Sequence, residues 1–306
     1  MNKNAITVYV DNTEKCITEF SWLWKSWAMW DINEGWDLVV CTHPAVYQKI
    51  SDGFSHENMI VMEQPDMGDV DPYWKEHNFV NSFSMFEHDT NLEVFNKYEN
   101  LFRTECGTFL TQHFKGFEPW KDKVYFGVGI QYKSNNDFEV LPQVRDKIRL
   151  AAKELKLPYR DISNVGSSVI CNTEKMKIIT RLQFMITRYL LNRGWAQGSR
   201  GSWPGWYKGM AHEYAHDIAI NAYTDILEVQ QGSLDIWCGS NKITKLDLHI
   251  RAWEQTQDNF FNKMKFHAGE LPKMKFGKIP LKAGEYCLLI ANEDLDYLKM
   301  CTKKSS

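Results

Sequence analysis

Hydrophobic and polar positions along the first third of the chain follow two patterns, the short apolar run of a buried strand and the spacing of an amphipathic helix. Ala5–Val10, Trp36–Thr42 and Asn58–Met62 are apolar runs that predict strands. Phe20–Trp30 has large apolar side chains at near-helical spacing and predicts a helix. Because helical material separates the strands, we expect them to pair in parallel through crossover connections.

The rest of the chain continues this mixture of strands and helices. Further strands are predicted within Lys97–Leu110, which ends in a polar turn, and at Lys123–Ile130, Leu234–Cys238 and Lys245–Ile250. Further helices are predicted at Leu141–Leu155, Glu174–Asn192 and Met210–Leu227. Turn-forming residues predict loops at Glu63–Pro72 and Gly194–Tyr207. The predicted fold class is α/β, with a mixed sheet flanked by helices in a single domain.

Composition narrows the possible classes of protein. A chain of 306 residues with 43% hydrophobic and 14% aromatic side chains can bury a large core, which excludes a disordered protein. A net charge of -3 gives no global positive field for nucleic acid or an anionic membrane, so a polyanionic partner needs a local patch. The sequence predicts no membrane span and no signal peptide. Seven cysteines without a CxxC pair predict free thiols, and we expect a cytoplasmic protein.

An HExxH motif is the strongest short pattern. His212 and His216 would lie on one face of a helix, where they could bind zinc, with Glu213 polarising a bound water. Three features weaken this zinc-peptidase hypothesis. Asp217 follows the second histidine, no third ligand stands at a usual spacing, and a loop precedes the helix. The other interpretation is an ordinary helix face with two partly exposed histidines.

Six segments with distinctive side-chain patterns follow one another along most of the chain. They are Glu19–Pro44, Arg103–Thr111, Phe126–Tyr132, Asn164–Ser167, Trp206–Asn221 and Leu248–Lys263. In this order they resemble the landmarks of an uncharacterised family of algal and viral proteins that look like glycosyltransferases of the GT-A fold. The resemblance implies a GT-A-like, Rossmann-type domain over residues 1–306, with a nucleotide-donor half at 1–110 and an acceptor half at 111–306. It also implies transfer of a sugar from a nucleotide-sugar donor, and a loop at Asn164–Ser167.

The resemblance points to a weakened metal site. GT-A enzymes hold a divalent cation, Mn²⁺ or Mg²⁺, with two carboxylates one residue apart, but here Glu105 is followed at that spacing by Gly107. Where the pattern suggests another histidine two residues after His249, the chain has Arg251. Glu105 and His249 remain as candidate metal ligands. We expect metal dependence to be weak or absent, with Arg251 and Lys263 stabilising the departing diphosphate.

Further donor contacts are expected at the ends of predicted strands. Arg103 and Gly107 belong to the same element as Glu105, and the resemblance implies that all three residues bind the donor. Asp11 and Thr13 follow the first strand, where doubly wound folds present ligand contacts. Turn or helix-cap contacts are an equally good explanation for these two residues.

Catalytic and acceptor-binding residues are expected around the predicted helix Met210–Leu227. Asp217 is the preferred general base and Glu213 the other candidate, although Asp217 could simply face solvent. Aromatic side chains in the preceding loop could stack on a sugar or base, or serve in packing. The candidate acceptor-binding residues are Trp203, Trp206, Tyr207 and Asn221.

The acceptor is expected to be cytoplasmic. A small enzyme of this composition would suit a bacteriophage that glycosylates hydroxymethylated cytosine in its own DNA, and a glycan or small molecule is the other possibility. DNA would have to meet a local basic strip, or that strip is a solvated face. The strip comprises Lys263, Lys265, Lys273, Lys275, Lys278 and Arg200. A module that binds a nucleotide or sugar without catalysis is a further alternative.

Overall fold

A computed structural model describes residues 2–128, 142–162, 165–202, 205–239, 241–252 and 261–304. The strands are β1 (Asn4–Val10), β2 (Trp36–Thr42), β3 (Met59–Glu63), β4 (Asn100–Arg103), β5 (Thr108–Leu110), β6 (Val124–Val128), β7 (Val165–Asn172), β8 (Val229–Gln231), β9 (Ile236–Trp237) and β10 (His249–Arg251). The helices are α1 (Glu14–Met29), α2 (Tyr47–Gly53), α3 (Met67–Val70), α4 (Asn81–Ser84), α5 (Asp89–Phe95), α6 (Pro142–Glu154), α7 (Thr173–Arg193), α8 (Ala211–Tyr223), α9 (Lys263–His267), α10 (Ala283–Asn292) and α11 (Leu295–Lys303). The predicted α/β class is confirmed.

The chain forms two compact units, each assembled from separate segments. Unit 1 comprises Met1–Gln64, Phe102–Glu118 and Gly232–Ser306. Unit 2 comprises Pro65–Leu101 and Pro119–Gln231. The division of the chain into a donor half and an acceptor half stays a prediction, as does the likeness to the GT-A fold.

Unit 1 contains parallel strands and a small second sheet. Strands β3, β2 and β1 lie side by side in that order, and both pairs are parallel, as the sequence predicted. The residues that follow β4 continue beside β1, where the N–H of Thr104 donates to the carbonyl oxygen of Thr7 at 3.0 Å. The small sheet has the order β5-β10-β9, with an antiparallel and a parallel pair. Parallel strands present their carboxyl ends at one edge, where α/β proteins bind ligands.

Helix α1 packs against β5 and the carboxy-terminal helices within unit 1. The Trp22 ring stacks on Phe109 of β5, with 5.3 Å between ring centroids. On another face, Nζ of Lys25 donates to the carbonyl oxygens of Ile290 and Glu293 at 2.6 and 2.9 Å. These carbonyl groups belong to the end of α10, whose partial negative charge favours a cation. The helix is thereby fixed on both sides.

Unit 2 combines mixed strands with two long helices. Strand β6 pairs antiparallel with β7 and parallel with β8. Helix α7 begins after Asn172, whose side chain accepts from the N–H of Lys175, and it packs along α8. Helix α8 also contacts β7, and its residues from Glu213 to Asn221 are all buried. The polar residues predicted for this helix therefore lie inside unit 2.

Some predicted elements are wrong in kind or extent. The predicted loop Glu63–Pro72 contains the short helix α3, which begins where the side chain of Asp66 accepts from the N–H of Gly68. Of the predicted loop at Asn164–Ser167, Asn164 lies outside the described residues, and the remaining three begin β7. Helices α2, α5, α10 and α11 were not predicted, because none has a long amphipathic repeat with clear caps.

Two sequence predictions concern the membrane and the thiols. None of the helices in the described ranges combines the length and the apolar character needed to cross a bilayer. All seven cysteines are free thiols, as the lack of CxxC pairs predicted. The cytoplasmic location stays a prediction.

Candidate functional site

The loop between β4 and β5 brings together two of the predicted donor-binding residues. Arg251 of β10 donates from Nη2 to Oε2 of Glu105 in this loop, at 2.6 Å. Strand β10 pairs with β5 so that Arg251 lies opposite Thr108, which places the guanidinium beside the loop. The side chains of Arg251 and Glu105 are 15% and 29% exposed, so a solute can reach the pair.

A buried carboxylate holds Lys263, another predicted donor-binding residue. Glu19 lies in α1, and its Oε2 accepts from Nζ of Lys263 at 2.7 Å. Its Oε1 lies 3.0 Å from Nε2 of His267. Lys263 and His267 are four residues apart on α9, so both reach the same carboxylate. The His267 ring also stacks on Trp22, which restricts its orientation.

Gly107 packs directly against this second group of charges. Its backbone has φ +77°, a conformation that glycine adopts without strain. A Cβ at this position would lie 2.8 Å from Oε2 of Glu19 and 3.0 Å from Nζ of Lys263. The absent side chain therefore lets the loop approach Glu19 and Lys263 closely, while Glu105 in the same loop binds Arg251.

We call five residues of unit 1 the charged cluster: Glu19, Glu105, Arg251, Lys263 and His267. Its two carboxylates balance the two permanent cations, and the imidazole adds a positive charge when protonated. Arg251 and Lys263 each pair with one of these carboxylates at hydrogen-bond distance. An anion that entered the cluster would compete with Glu19 and Glu105 for Lys263 and Arg251.

The other predicted donor contacts lie at the ends of β1 and β4. Thr13 caps α1, since its Oγ1 accepts from the N–H of Cys16 at 3.1 Å. Asp11 accepts the N–H of Asn12 through its own Oδ1 at 2.8 Å. Arg103 ends β4 and is buried. The cap and turn contacts of Thr13 and Asp11 are those that the sequence also allowed, and donor binding by these three residues stays a prediction.

His249, a predicted metal ligand, is completely buried in β10. The backbone N–H of Asp235 donates to its Nδ1 at 3.1 Å, so the neutral ring carries its proton on Nε2. That nitrogen lies 3.0 Å from Oγ1 of Thr104. A metal ion at either nitrogen would have to replace a hydrogen bond.

The residues predicted to hold Mn²⁺ or Mg²⁺ do not fit such an ion as they are placed. The guanidinium of Arg251 occupies Oε2 of Glu105 and would repel a divalent cation there. Both ring nitrogens of His249 contact neighbouring groups. Within the described ranges, no three His, Cys, Asp or Glu side chains are grouped so that they could hold a metal ion.

In unit 2, Asp217 is a buried carboxylate that accepts hydrogen bonds from Tyr159 and Asn221. It is 0% exposed, so the alternative of a solvent-facing residue is wrong. Its Oδ1 accepts from the hydroxyl of Tyr159 at 2.8 Å and from Nδ2 of Asn221 at 3.2 Å. Burial raises the pKa of Tyr159, so the phenol keeps the proton that it donates. Glu213 is also buried, and catalysis by either carboxylate stays a prediction.

Asn221 joins α8 to the segment that precedes β7. Its Oδ1 accepts from the N–H of Ile162 at 2.7 Å, and its Nδ2 donates to the carbonyl oxygen of Ile162 at 3.0 Å. The same Nδ2 donates to the carbonyl oxygen of Asp217 at 2.9 Å. Binding of an acceptor by this amide would require some of these bonds to break.

The HExxH motif lies on α8, but its histidines differ in their surroundings. The His212 ring stacks on Phe79, with 4.1 Å between centroids, and its Nε2 lies 3.8 Å from Oε1 of Glu213. His216 is completely buried, so the interpretation of two partly exposed histidines is wrong. The zinc-peptidase hypothesis stays a prediction.

Trp206 serves in packing. Its ring stacks on Trp195 and on Tyr214, with centroids 5.0 and 4.4 Å away. Its Nε1 donates to the carbonyl oxygen of Gly194 at 2.7 Å. Tyr207 donates its backbone N–H to the Tyr214 hydroxyl at 3.2 Å. These contacts support the packing interpretation of the aromatic residues, and Trp203 lies outside the described residues.

Glu19 and His267 were not predicted from the sequence. A signal for Glu19 was present, because it stands one residue before the predicted helix Phe20–Trp30 and three before Trp22, so a helix that starts one turn earlier places both on one face. A carboxylate on such a face indicates a buried cationic partner. For His267 the sequence contains no comparable signal, since its contacts come from residues distant along the chain.

Comparison with known proteins identifies a family without assigning an activity. The profile of a family described as Domain of unknown function (DUF7164) matches residues 1–286. No curated protein matches the chain. The matched range includes all five residues of the charged cluster.

Proposed function

The chain belongs to the DUF7164 family, a domain of unknown function, and we propose that it transfers a sugar from a nucleotide-sugar donor whose diphosphate binds at the charged cluster. The two ion pairs at the loop between β4 and β5 carry this proposal. Arg251 and Lys263 approach the loop with their charges already oriented by Glu105 and Glu19. Fixed cations of this kind bind a diphosphate without a metal ion.

The cluster supports binding by exchange of partners. A diphosphate carries more negative charge than a single carboxylate, so it can compete for both cations. The Arg251 guanidinium can bind two phosphate oxygens through its planar fork, whereas Lys263 supplies a point charge. Glu19 is only 6% exposed, and its ion pair with Lys263 holds the ammonium group in position.

The proposed reaction needs the same cations in its transition state. The bond between the anomeric carbon and the donor phosphate breaks while the acceptor oxygen bonds to that carbon. Negative charge develops on the departing diphosphate, where Arg251 and Lys263 stabilise it. A general base takes the proton of the acceptor hydroxyl in an inverting reaction.

Two acceptor classes fit the proposal, DNA with hydroxymethylated cytosine and a glycan or small molecule. Of the basic strip, Lys263 pairs with Glu19, whereas Lys265, Lys273, Lys275 and Lys278 are exposed. Exposed lysines can contact phosphates, and their contribution would show as salt-dependent binding. We favour DNA as the acceptor to test first.

A thermal-shift screen of nucleotide sugars tests donor binding. The screen uses wild type, Lys263→Gln and the matched control Lys265→Gln. Both lysines lie on α9, but of the two only Lys263 contacts Glu19. We expect a donor to raise Tm in wild type and Lys265→Gln, and the shift to fall by at least half in Lys263→Gln. Equal shifts in all three proteins would contradict the assignment of the site.

Transfer is then measured with the donor that gives the largest shift. Wild type is incubated with this donor and with hydroxymethylated or unmodified DNA, in a chelator, and products are weighed by mass spectrometry. We expect nucleoside diphosphate release together with a hexose or pentose added to hydroxymethylated DNA alone. Activity that is lost in chelator and restored by Mn²⁺ would contradict metal-independent transfer, and donor binding without turnover would favour a binding module.

A further inference from the structure

Two cysteines meet at the carboxyl end of β1. Cys16 lies in the first turn of α1, and its Sγ accepts from the N–H of Asp11 at 3.3 Å. Cys106 lies in the loop between β4 and β5, and its Sγ donates to the carbonyl oxygen of Tyr9 at 3.3 Å. In an extended chain, a carbonyl and the N–H two residues later point to the same side. The two thiols therefore lie beside the same short stretch of backbone.

The thiols also interact with each other. The side chain of Cys106 contacts that of Cys16. The sulfur of Cys16 accepts an N–H, as an attacking sulfur would, whereas the S–H of Cys106 is donated to the carbonyl oxygen of Tyr9. This geometry assigns the first attack to Cys16.

Exposure separates this pair from the other cysteines. Cys16 and Cys106 are both half-buried residues. The remaining five cysteines are buried, and they are Cys41, Cys171, Cys238, Cys287 and Cys301. Cys238 and Cys287 lie close enough to interact electrostatically, which makes them a buried pair for comparison within the same chain.

We propose that Cys16 and Cys106 form a dithiol site that hydrogen peroxide converts to an intramolecular disulfide. The thiolate of Cys16 attacks one peroxide oxygen, the O–O bond breaks, and hydroxide leaves and takes up a proton as water. Cys16 is then a sulfenic acid. The sulfur of Cys106 attacks that of Cys16, the S–O bond breaks, and the departing hydroxide leaves as water with the Cys106 proton. In total, two thiols lose two electrons, one peroxide gains them, and two waters form.

The disulfide would change the surroundings of the charged cluster. Cys106 stands between Glu105, which binds Arg251, and Gly107, which packs against Lys263. A covalent link to α1 would restrict the movement of this loop. Any effect of oxidation on donor binding rests on the proposed function, whereas formation of the disulfide does not.

Peptide mapping of the oxidised protein tests the site. The full chain is treated with hydrogen peroxide, alkylated, digested without reduction and analysed by mass spectrometry. We expect a linked peptide pair containing Cys16 and Cys106, at least ten-fold less alkylation of both, and full recovery with dithiothreitol. Cys238 and Cys287 should stay unlinked in the folded protein. A link between other cysteines, or no link at Cys16 and Cys106, would overturn the proposal.

Single variants test the order of attack. In Cys106→Ser the sulfenic acid at Cys16 has no partner, so dimedone should label Cys16 at least ten-fold more than it labels Cys106 in Cys16→Ser. Equal or reversed labelling would overturn the assigned roles. Circular dichroism checks the fold of each variant, and Cys106→Ala replaces Cys106→Ser if the hydroxyl is not tolerated. Donor binding, measured separately before and after oxidation, can fail without affecting these results.

Discussion

Arg251 donates to Glu105 at 2.6 Å, so the carboxylate that the sequence suggested as a metal ligand is paired with a cation. A guanidinium and a divalent metal ion compete for the same carboxylate oxygens. The two modes of donor binding therefore predict opposite effects when the charge of Glu105 is removed.

The first prediction is that Glu105→Gln binds inorganic pyrophosphate more tightly than wild type. Removing the charge of Glu105 removes a carboxylate that competes with the anion for Arg251, and we expect a gain of about three- to ten-fold in affinity. Isothermal titration in the presence of a chelator measures this. Glu34→Gln is the control, because Glu34 pairs with Lys115 at 3.4 Å on the exposed surface of unit 1. Unchanged or weaker binding in Glu105→Gln would count against the cation mode.

The second prediction concerns the close approach at Gly107. An alanine there would meet Glu19 and Lys263 and would also be held at φ +77°. Gly116 has φ +75° with nothing within 4 Å of a Cβ, so Gly116→Ala isolates the backbone cost, about 1 kcal/mol. We expect Gly107→Ala to lose about 1–3 kcal/mol more unfolding free energy than Gly116→Ala, as measured by chemical denaturation. Equal losses of unfolding free energy in the two variants would mean that Glu19 and Lys263 move aside for the new Cβ at no cost.

The third prediction is a pH dependence from Lys25. Burial lowers the pKa of this amine to about 8, although the charges of Asp294 and Glu293 oppose the shift. Between pH 8 and about 10.5 the unfolded chain binds more protons at this amine than the folded protein does. The free energy of unfolding should therefore rise with pH across this window, and that gain should be lost as the pH falls back through 8.

Denaturation at pH 7.5 and 9.5 checks this effect. Over that interval we expect the free energy of unfolding to increase by about 1–2 kcal/mol more in wild type than in Lys25→Met. Lys49→Met is the control, because Lys49 pairs with Glu14 on the surface. If wild type and Lys25→Met change equally, then the carbonyl groups at the end of α10 hold Lys25 charged throughout.

The fourth prediction concerns the buried hydrogen bond to Asp217. Tyr159→Phe removes the hydroxyl that donates to Oδ1 at 2.8 Å, and it should cost about 1–3 kcal/mol of unfolding free energy. Tyr189→Phe removes a hydroxyl that contacts Glu154 on the surface and should cost less than about 1 kcal/mol. Denaturant melts of both variants give the comparison. Similar costs would show that the carboxylate of Asp217 finds another donor readily.

Strands and long helices could be predicted where a local pattern decides the structure. Ala5–Val10 and Trp36–Thr42 are apolar throughout, and they form β1 and β2 with parallel pairing. The predicted helix Glu174–Asn192 matches α7 to within one residue at each end. The loop that the family resemblance implied at Asn164–Ser167 is wrong, because Val165, Gly166 and Ser167 begin a buried strand.

The candidate site could be predicted in part. Glu105, Arg251 and Lys263 were named from the sequence, and the structure pairs Arg251 with Glu105 and gives Lys263 the partner Glu19. The pairing itself could not be predicted, because 146 residues separate Arg251 from Glu105 and 244 separate Lys263 from Glu19. Local patterns hold no information on contacts at that separation.

The order of the segments in unit 1 bears on how the protein is made. A ribosome releases Glu19 and Glu105 first, then completes every segment of unit 2, and only afterwards supplies Arg251 and Lys263 from the segment that begins at Gly232. During that interval both carboxylates lack the cations that neutralise them. A nascent chain that stalls after Gln231 would therefore contain all of unit 2 beside a half-built, negatively charged unit 1, a form suited to capture by chaperones or proteases.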